Sequence, residues 1–291
     1  MAKGSPDVRG MLIHVSHYDP KWCLDKDREK PFEVAVALEV LDAMSDADMN
    51  LLVVDCADGV QYKSHPELKR DYSVPMRDLQ KLADAAHRRD IDVVPKLNFS
   101  RSSWHQHDYW MRPHSVPWQY ARNIEGYWKV AGELIAELVG VLGPKRFFHV
   151  GMDEDHHRSH AQYVDAIKTL RKIVKRHRLR TVIWNDSCHF RKSSLAQVHA
   201  DKCRAAEGLL PRDIVQVLWD YSRAHPSIVK RVVDEGFEVW VAPGARVLAP
   251  WKRAITLGGA TGVLATAWVK CDRTHRERLL ELVRTVGAEF R

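Results

Sequence analysis

The chain has 291 residues, of which 45% are hydrophobic and 29% are charged. This size and composition support one large hydrophobic core or two small ones, and they exclude a disordered chain, a collagen and a disulfide-stapled miniprotein. The net charge of +7 would suit an acidic partner, but both signs of charge are interspersed, and the densest basic stretch, 168–180, is typical of a solvated helix face. We therefore expect no nucleic-acid partner.

The N-terminus and the cysteines indicate the compartment. The first ten residues contain no apolar core of a signal peptide, and no run of eighteen apolar residues occurs in the chain, so we expect neither export nor membrane contact. The five cysteines form no CxxC pair and no zinc-like spacing. Reduced thiols in a cytoplasmic protein fit this pattern best.

Short apolar runs alternate with helical patterns along the chain. Eight candidate strands occupy 11–15, 51–54, 92–97, 147–150, 181–184, 214–219, 238–242 and 262–268, and helical spacing of apolar residues occurs within 34–44, 79–86, 134–142, 164–174, 228–233 and 279–283. The strands are almost continuously apolar. This is typical of a parallel sheet that is covered on both faces.

The spacing of these strands predicts the fold. Successive strands begin about 36 residues apart on average, which is the size of a βα repeat, and no Pro- or Ser-rich linker interrupts them. We therefore predict a single (β/α)8 TIM barrel over residues 1–291, with an open doubly wound sheet as the alternative. In such barrels the functional residues follow the carboxyl ends of the strands.

Aromatic and acidic residues stand together at the predicted strand ends. They are Asp55, Trp184, Asp186, Trp219, Tyr221, Trp268 and Asp272. Aromatic rings stack on the apolar face of a pyranose and carboxylates accept hydrogen bonds from its hydroxyls, so the pattern indicates a carbohydrate site. Alternatively, the tryptophans fill the core of the barrel.

Two adjacent carboxylates, Asp153 and Glu154, follow the fourth strand and are preceded by Gly151. Mutual repulsion and burial can raise the pKa of one of them, which would leave a protonated acid beside an ionised neighbour. Alternatively, the two acids merely favour the dipole of the following helix.

The segment His149-Val-Gly-Met-Asp153-Glu154 matches the His-x-Gly-x-Asp-Glu motif of glycoside hydrolase family 20, the β-N-acetylhexosaminidases, and the chain resembles that family. The resemblance implies a retaining exo-enzyme without a cofactor or metal, in which the 2-acetamido oxygen of the substrate attacks C1 and forms an oxazolinium intermediate. Asp153 would orient the acetamido group. Glu154 would protonate the leaving oxygen and later deprotonate water, while His149 braces the motif.

The resemblance extends over the whole barrel. Arg9, before Gly10, resembles a family arginine that binds sugar hydroxyls, and Trp184, Trp219 and Trp268 fall where the family has the aromatic walls of its sugar pocket. The length is most similar to the short, single-domain hexosaminidase D type. The implied partner is a carbohydrate with a terminal N-acetylhexosamine.

Several positions depart from the family pattern. His14 and His17 stand where an Asp and an Arg are common, and residues 99–102 replace a Pro-Gly-His sequence. The family tyrosine that binds the acetamido oxygen is expected after the seventh strand, where this chain has 242–244. Tyr221, after the sixth strand, could supply the hydroxyl.

The eighth strand departs as well. Many family members have a Glu two residues after the final Trp, where this chain has Lys270, which leaves Asp272 as a substitute. The catalytic pair is thus retained better than the residues around it. A carbohydrate-binding barrel, or a glycosidase with an altered substrate, is therefore the alternative function.

Histidines on the same rim raise a metal-dependent hydrolase as a further alternative. The candidate ligands are His14, His17, His149, Asp153, His156, His157, His160 and Asp186. The spacing of His14 and His17 differs from the His-x-His pair of metal-dependent barrels, so we expect no metal.

A long segment rich in aromatic residues and histidines, 101–118, follows the third strand. It fits a cap over the pocket or a homodimer contact equally well.

Overall fold

The computed structural model describes residues 6–16, 30–102, 123–189 and 194–291. Its strands are β1 (Val8–His14), β2 (Leu51–Asp55), β3 (Val60–Gln61), β4 (Val74–Pro75), β5 (Asp92–Lys96), β6 (Phe147–His149), β7 (Arg180–Asn185), β8 (Val215–Asp220), β9 (Val239–Pro243) and β10 (Gly262–Lys270). All except β3 and β4 form a closed parallel barrel, in which β10 pairs with β1. The small strands β3 and β4 pair with each other.

Along the chain, a helix follows each strand of the barrel. The helices are α1 (Val34–Asp46), α2 (Met76–His87), α3 (Ile124–Leu142), α4 (His160–Lys175), α5 (Ser194–Glu207), α6 (Pro226–Asp234), α7 (Leu248–Gly258) and α8 (Arg276–Phe290). The predicted (β/α)8 barrel is confirmed, and the doubly wound alternative is wrong because the sheet closes on itself. The helices α5 and α7 had not been predicted. Within the described ranges, no helix combines the length and apolar character needed to span a bilayer.

Two hydrophobic layers explain the continuous apolar strands. One side of each strand packs against the surrounding helices, in a cluster that includes Ile13, Val54, Leu79, Ile167 and Val283. The other side fills the barrel with a second cluster of Val8, Leu12, Leu51, Val53, Val94, Phe147, Val182, Trp184, Val215, Val217, Trp240, Ala242 and Leu264. Because both sides are buried, the strands carry no alternating polar residues.

The inward-facing row at the carboxyl end of the strands is ionisable instead of apolar. His14, Asp55, Lys96 and His149 lie in register on β1, β2, β5 and β6. All four side chains are fully buried. The apolar interior therefore ends in a charged layer at the edge where barrel enzymes place their sites.

Near the amino ends of their strands, Gly262 of β10 and Trp240 of β9 lie in very close contact. A Cβ atom on Gly262 would lie 2.4 Å from Cδ1 of the buried Trp240. We expect Gly262→Ala to destabilise the protein by about 1–3 kcal/mol, because the indole ring has no room to move in the packed interior. Urea unfolding would measure the change.

Gly140 provides the matched control. It lies within α3 and an added Cβ would meet nothing within 4 Å. Gly140→Ala should stabilise the protein by about 0.5–1 kcal/mol, since alanine favours the helix. Equal effects of the two substitutions would contradict the tight contact at Gly262.

Candidate active site

The ionisable row begins with an ion pair inside the barrel. Lys96 Nζ lies 2.6 Å from Asp55 Oδ2, and His14 Nδ1 lies 3.1 Å from the same oxygen. Burial opposes the charge on Asp55, but Lys96 and His14 outweigh it and lower the pKa of this carboxyl group. Burial also lowers the pKa of His14, so the imidazole is neutral at pH 7. Asp55, predicted to bind sugar, therefore belongs to an internal ion pair.

The segment from His149 to Glu154 is held in a turn that departs from ordinary backbone geometry. Gly151, Met152 and Glu154 have φ angles of +73°, +82° and +50°. The N–H of Gly151 donates to His149 Nδ1 at 3.0 Å, which fixes this nitrogen as the acceptor. A Cβ on Gly151 would lie 2.2 Å from Asn98 Oδ1, so only glycine fits. The predicted bracing role of His149 agrees with this contact.

Asp153 is buried beside an amide that follows β5. Asn98 Nδ2 donates to Asp153 Oδ1 at 2.6 Å, while Asn98 Oδ1 accepts from the N–H groups of Met152 and Ser100. Burial, together with the negative charges of Asp186 and Glu154, raises the pKa of Asp153 to about 7, even though Lys96 and Asn98 favour the ionised form. Asp153 thus titrates near neutral pH.

Glu154 is partly exposed, and its backbone is fixed by Asp186. The Glu154 N–H donates to Asp186 Oδ2 at 2.8 Å, and His199 Nε2 lies 2.8 Å from the same oxygen. Trp219 Nε1 donates to Asp186 Oδ1 at 2.7 Å. Both oxygens of Asp186 are therefore engaged with protein donors, so this predicted sugar ligand acts as a brace for the motif.

Asp186 and His199 form a buried ion pair. Burial would raise the pKa of Asp186, but His199 and other donors hold it at about 2. Burial would likewise lower the pKa of His199, but its neighbours Cys203 and Asp186 keep it well above its ordinary value. The pair is charged at pH 7 and joins α5 to the end of β7.

An aromatic wall stands beside the two carboxylates. The ring centroids of Trp184 and Trp268 are 6.3 Å apart, and those of Trp219 and Tyr221 are 5.4 Å apart. Trp268 Nε1 donates to the Tyr221 hydroxyl at 2.6 Å. Trp184 is buried in the barrel, whereas Trp219 and Trp268 are partly exposed. The structure thus brings these four predicted residues together, with Trp184 serving both core and site.

Tyr221 lies close enough to the carboxylates to respond to their charge. Burial raises the pKa of its hydroxyl, and the negative charges of Asp153 and Glu154 raise it further. The hydroxyl is therefore protonated at pH 7. Since Trp268 donates to its oxygen, its hydrogen remains for another acceptor.

Two predicted sugar ligands are not brought to this wall. Arg9 pairs with Val263 at the amino end of the strands, and its guanidinium donates to the carbonyl oxygens of Asp48 and Pro6 at 2.8 and 3.0 Å. This is the opposite end of the barrel from Asp153, because β1 begins at Val8. The structure thus places Arg9 away from the aromatic wall and the two carboxylates.

Asp272 lies in the turn before α8. Its Oδ1 is 2.7 Å from His275 Nδ1 and accepts from the His275 N–H at 3.0 Å. These contacts hold the turn that leads into α8. The structure thus gives Asp272 a local role in the turn instead of a place on the aromatic wall.

Sequence reasoning missed Lys96, Asn98 and His199 as site residues. Asn98 directly follows a predicted strand and could have been found by position alone. Lys96 could have been found as an ionisable residue inside an apolar strand. His199 gave no such signal because α5 itself had not been predicted.

The described residues do not bring the candidate metal ligands together. Within the described residues, no group of three or more His, Cys, Asp or Glu side chains could hold a metal ion. His14 and His149 are engaged with Asp55 and the Gly151 N–H. His17 and most of segment 101–118, the predicted cap or dimer contact, lie outside the described residues.

The fold and the site together define a class of protein: a parallel barrel with an acidic pair and aromatic side chains at its carboxyl edge. The sequence matches no protein-family model and no curated protein. The structure, in contrast, is similar to solved structures of β-N-acetylhexosaminidases of glycoside hydrolase family 20. The enzyme from Streptomyces coelicolor A3(2) superposes with a TM-score of 0.67 over 98% of this chain, at 16% identity.

Two further structures are similar in the same way. The N-acetyl-β-hexosaminidase of Streptomyces plicatus, in complex with Thio-NAglucal, has a TM-score of 0.66 at 14% identity over 97% of this chain. The chitobiase of Flavobacterium johnsoniae has a TM-score of 0.62 at 15% identity, also over 97%. This chain covers 64% of each Streptomyces chain and 52% of the chitobiase. The likeness establishes that the chain has the barrel fold of these enzymes.

The brace at Asp186 predicts a loss of stability. We expect Asp186→Asn to lower the free energy of unfolding by about 3 kcal/mol at pH 7, because it leaves the buried His199 without its counter-ion. Asp186 has a depressed pKa, so its contribution in the native chain is present above about pH 4 and is lost as the pH falls toward 2. Urea unfolding measures both effects.

Asp213→Asn serves as the control. Asp213 pairs with Arg171 at 2.6 Å on the surface, where its side chain is 44% exposed. Loss of this pair should cost less than about 1 kcal/mol. If the two variants lost equal stability, Asp186 would not be the buried brace described.

Proposed function

We propose that this chain is a glycoside hydrolase that removes a terminal β-linked N-acetylhexosamine with retention of configuration. The observation that carries the proposal is the Asp153–Glu154 turn, which lies against Tyr221 and the tryptophans at the carboxyl edge of the barrel. The fold shared with family 20 hexosaminidases supports it. A sugar between the tryptophans would place its anomeric carbon over the two carboxylates.

The first step is an intramolecular attack. The acetamido oxygen of the substrate bonds to C1 while the glycosidic bond breaks, and the proton of Glu154 goes to the leaving oxygen. Ionised Asp153 accepts the acetamido N–H and offsets the positive charge of the oxazolinium ring. Because the nucleophile belongs to the substrate, positioning supplies much of the rate.

The second step returns the enzyme to its initial state. Glu154 removes a proton from water, whose oxygen attacks C1 and reopens the ring to the acetamido group. We assign the Tyr221 hydroxyl to the acetamido oxygen, because its hydrogen is available and because it lies near enough to Asp153 and Glu154 for their charges to raise its pKa. Tyr221 would thus replace the tyrosine expected near residues 242–244.

The local environment supports these separate roles. Asp153 is buried and held by Asn98, which suits a fixed electrostatic partner. Glu154 is partly exposed, which suits a group that exchanges protons with a leaving group and with water. We also propose that residues 1–291 act as one catalytic barrel. A reducing, cytoplasmic location is favoured by four free, buried cysteines, Cys56, Cys188, Cys203 and Cys271.

Substitution of the two carboxylates tests the assignment. We expect Glu154→Gln to lower kcat about 100-fold or more on a disaccharide but much less on an aryl glycoside, whose leaving group needs little protonation. Asp153→Asn should lower kcat strongly on both substrates. Steady-state hydrolysis of N,N′-diacetylchitobiose and an aryl β-N-acetylglucosaminide would be measured. Full turnover of the disaccharide by Glu154→Gln would remove Glu154 as the acid.

The pKa of Asp153 predicts the pH profile. Asp153 must be ionised to accept the acetamido N–H, so kcat/KM should fall below about pH 7, tenfold per pH unit. Asn98→Ala removes a hydrogen bond that favours the carboxylate and should move this acidic limb to higher pH.

Trp268→Phe is the comparison for that experiment. It removes the indole N–H bonded to Tyr221 and part of the stacking surface, so it should weaken substrate binding. It leaves the partners of Asp153 in place, and its acidic limb should stay at the native pH. A limb that moves equally in both variants would show that Asp153 does not set it.

A second candidate is a carbohydrate-binding barrel, or a glycosidase with a different sugar. The position of Arg9 at the opposite end of the barrel and the ion pair of Asp55 favour it, because both side chains were expected to contact sugar. Aryl β-N-acetylglucosaminide and β-N-acetylgalactosaminide distinguish the two. If both remain intact while N-acetylglucosamine quenches tryptophan fluorescence, the binding function is correct.

A further inference from the structure

A groove of about 480 Å³ lies between α1 and α8 on the outside of the barrel. The two helices follow the neighbouring strands β1 and β10 and run in the same direction. At one end of the groove, Arg276 Nε donates to Glu39 Oε2 at 2.6 Å. At the other end the helices touch, since a Cβ on Gly287 would lie 2.5 Å from the Ala47 Cβ. These two contacts establish which residues of α1 and α8 lie at the same height.

The groove has one acidic wall, on α1, and one basic wall, on α8. Its charged lining residues are Glu39, Asp42 and Asp46 on the first wall and Arg276, Arg284 and Arg291 on the second. Small side chains line the space between the walls, at Ala43, Ala47 and Ala288. The surface therefore combines a narrow apolar floor with two charged rims of opposite sign, and protein–protein contacts share this arrangement of core and rim.

One charged group on each wall is not neutralised within the chain. The other four groups form the pairs Arg276–Glu39, Asp42–Arg89 and Arg291–Asp48. Among the described residues, the Asp46 carboxylate and the Arg284 guanidinium form neither an ion pair nor a hydrogen bond, and both are exposed in the groove. Asp46 directly precedes Ala47, and Arg284 lies one turn before Gly287, so the two charges are at similar heights.

We propose that this groove is the contact surface of a homodimer, in which two copies of the chain meet about a two-fold axis that runs along the groove. The inference does not depend on the proposed function. The four helices of the contact would lie side by side, with α1 of each copy against α8 of the other. The long stems of the arginines can cover the alanine floor while their guanidinium groups reach the opposite carboxylates.

A second copy fits because the groove is complementary to itself. A two-fold axis along the groove places the acidic wall of each copy over the basic wall of the other. The rotation keeps every residue at its height along the axis, so Asp46 faces Arg284 of the partner subunit, and this contact occurs twice. Each copy has a net charge of +7, so the local match at the groove, and not the overall charge, supplies the attraction.

The direction of the axis also sets the arrangement of the two candidate active sites. Helices of a (β/α)8 barrel run roughly along the barrel axis, so an axis along α1 and α8 leaves both carboxyl edges on the same side of the dimer. Neither the Asp153–Glu154 turn nor the aromatic wall lines the groove. Both sites therefore stay open in the dimer.

Charge reversal in the full chain tests the proposal. Sedimentation velocity would give the mass of the native chain at concentrations from about 1 to 300 µM, where we expect a dimer to form. Asp46→Arg places an arginine opposite Arg284 in both contacts, and Arg284→Asp places an aspartate opposite Asp46. Each variant alone should dimerise at least about tenfold more weakly than the native chain, because like charges meet twice.

A mixture of the two variants gives the sharpest result. In a mixed dimer the arginine introduced at 46 faces the aspartate introduced at 284, and the native Asp46 and Arg284 face each other in the second contact. Opposite charges then meet twice, so the equimolar mixture should regain the native dimer affinity. A fluorescent label on one variant would show that the restored species contains both chains.

Two variants outside the groove are the matched controls. Asp165→Arg on α4 and Arg278→Asp on α8 make the same changes of charge at exposed positions, and neither residue lines the groove. Both variants should dimerise as the native chain does. Circular dichroism would confirm that all four variants are folded.

Every other outcome overturns the inference. A native chain that is monomeric up to about 300 µM forms no such dimer. A dimer that persists in both groove variants uses another surface, such as segment 101–118. If the groove variants are monomeric but their mixture does not associate, Asp46 and Arg284 do not meet across two copies. Equal loss of association in the controls would show an effect of net charge instead of a contact at the groove.

Discussion

The arrangement of this site depends on one carboxylate whose two oxygens are both engaged with the protein. Asp186 accepts hydrogen bonds from the Glu154 backbone and the Trp219 indole, and it pairs with His199 on α5. A single buried anion thereby connects the Asp153–Glu154 turn, the aromatic wall and a helix outside the barrel. The positive φ angle of Glu154 is tolerated because its N–H is held in this way. Without that anchor, the position of Glu154 relative to the aromatic wall would be free to vary.

The barrel could be predicted because its strands are buried on both sides. The helix α5 escaped because its buried face consists largely of small and polar residues, among them Ala196, His199, Cys203 and Glu207, so its hydrophobic period is weak. The helix α7 escaped because Pro250, in its first turn, is typical of a chain break. The order of strands can therefore be predicted from apolar runs. A helix whose buried face is weakly apolar, or whose first turn contains a proline, cannot be predicted in this way.

The residues near the site could be predicted from the sequence, but the contacts that each of them makes could not. Position at strand ends identified Asp153, Glu154 and the aromatic wall correctly as neighbours. Sequence position could not distinguish a carboxylate facing ligand from one facing the protein, because that depends on partners distant in sequence: Lys96 for Asp55, 41 residues away, and His199 for Asp186. The sugar-binding role of Arg9 came from the family resemblance alone, and its place at the amino end of β1 agrees with its position before the first apolar run.

The ion pair between Lys96 and Asp55 restricts how this protein can evolve. Each charge is fully buried, so a lineage that lost either residue alone would retain an uncompensated charge inside the barrel, at a cost of about 3–5 kcal/mol. That cost is a large fraction of the total stability of an ordinary domain. Descendants should therefore keep both residues or exchange both. Among relatives, substitutions at the two positions should occur together, and a substitution at only one of them should be rare.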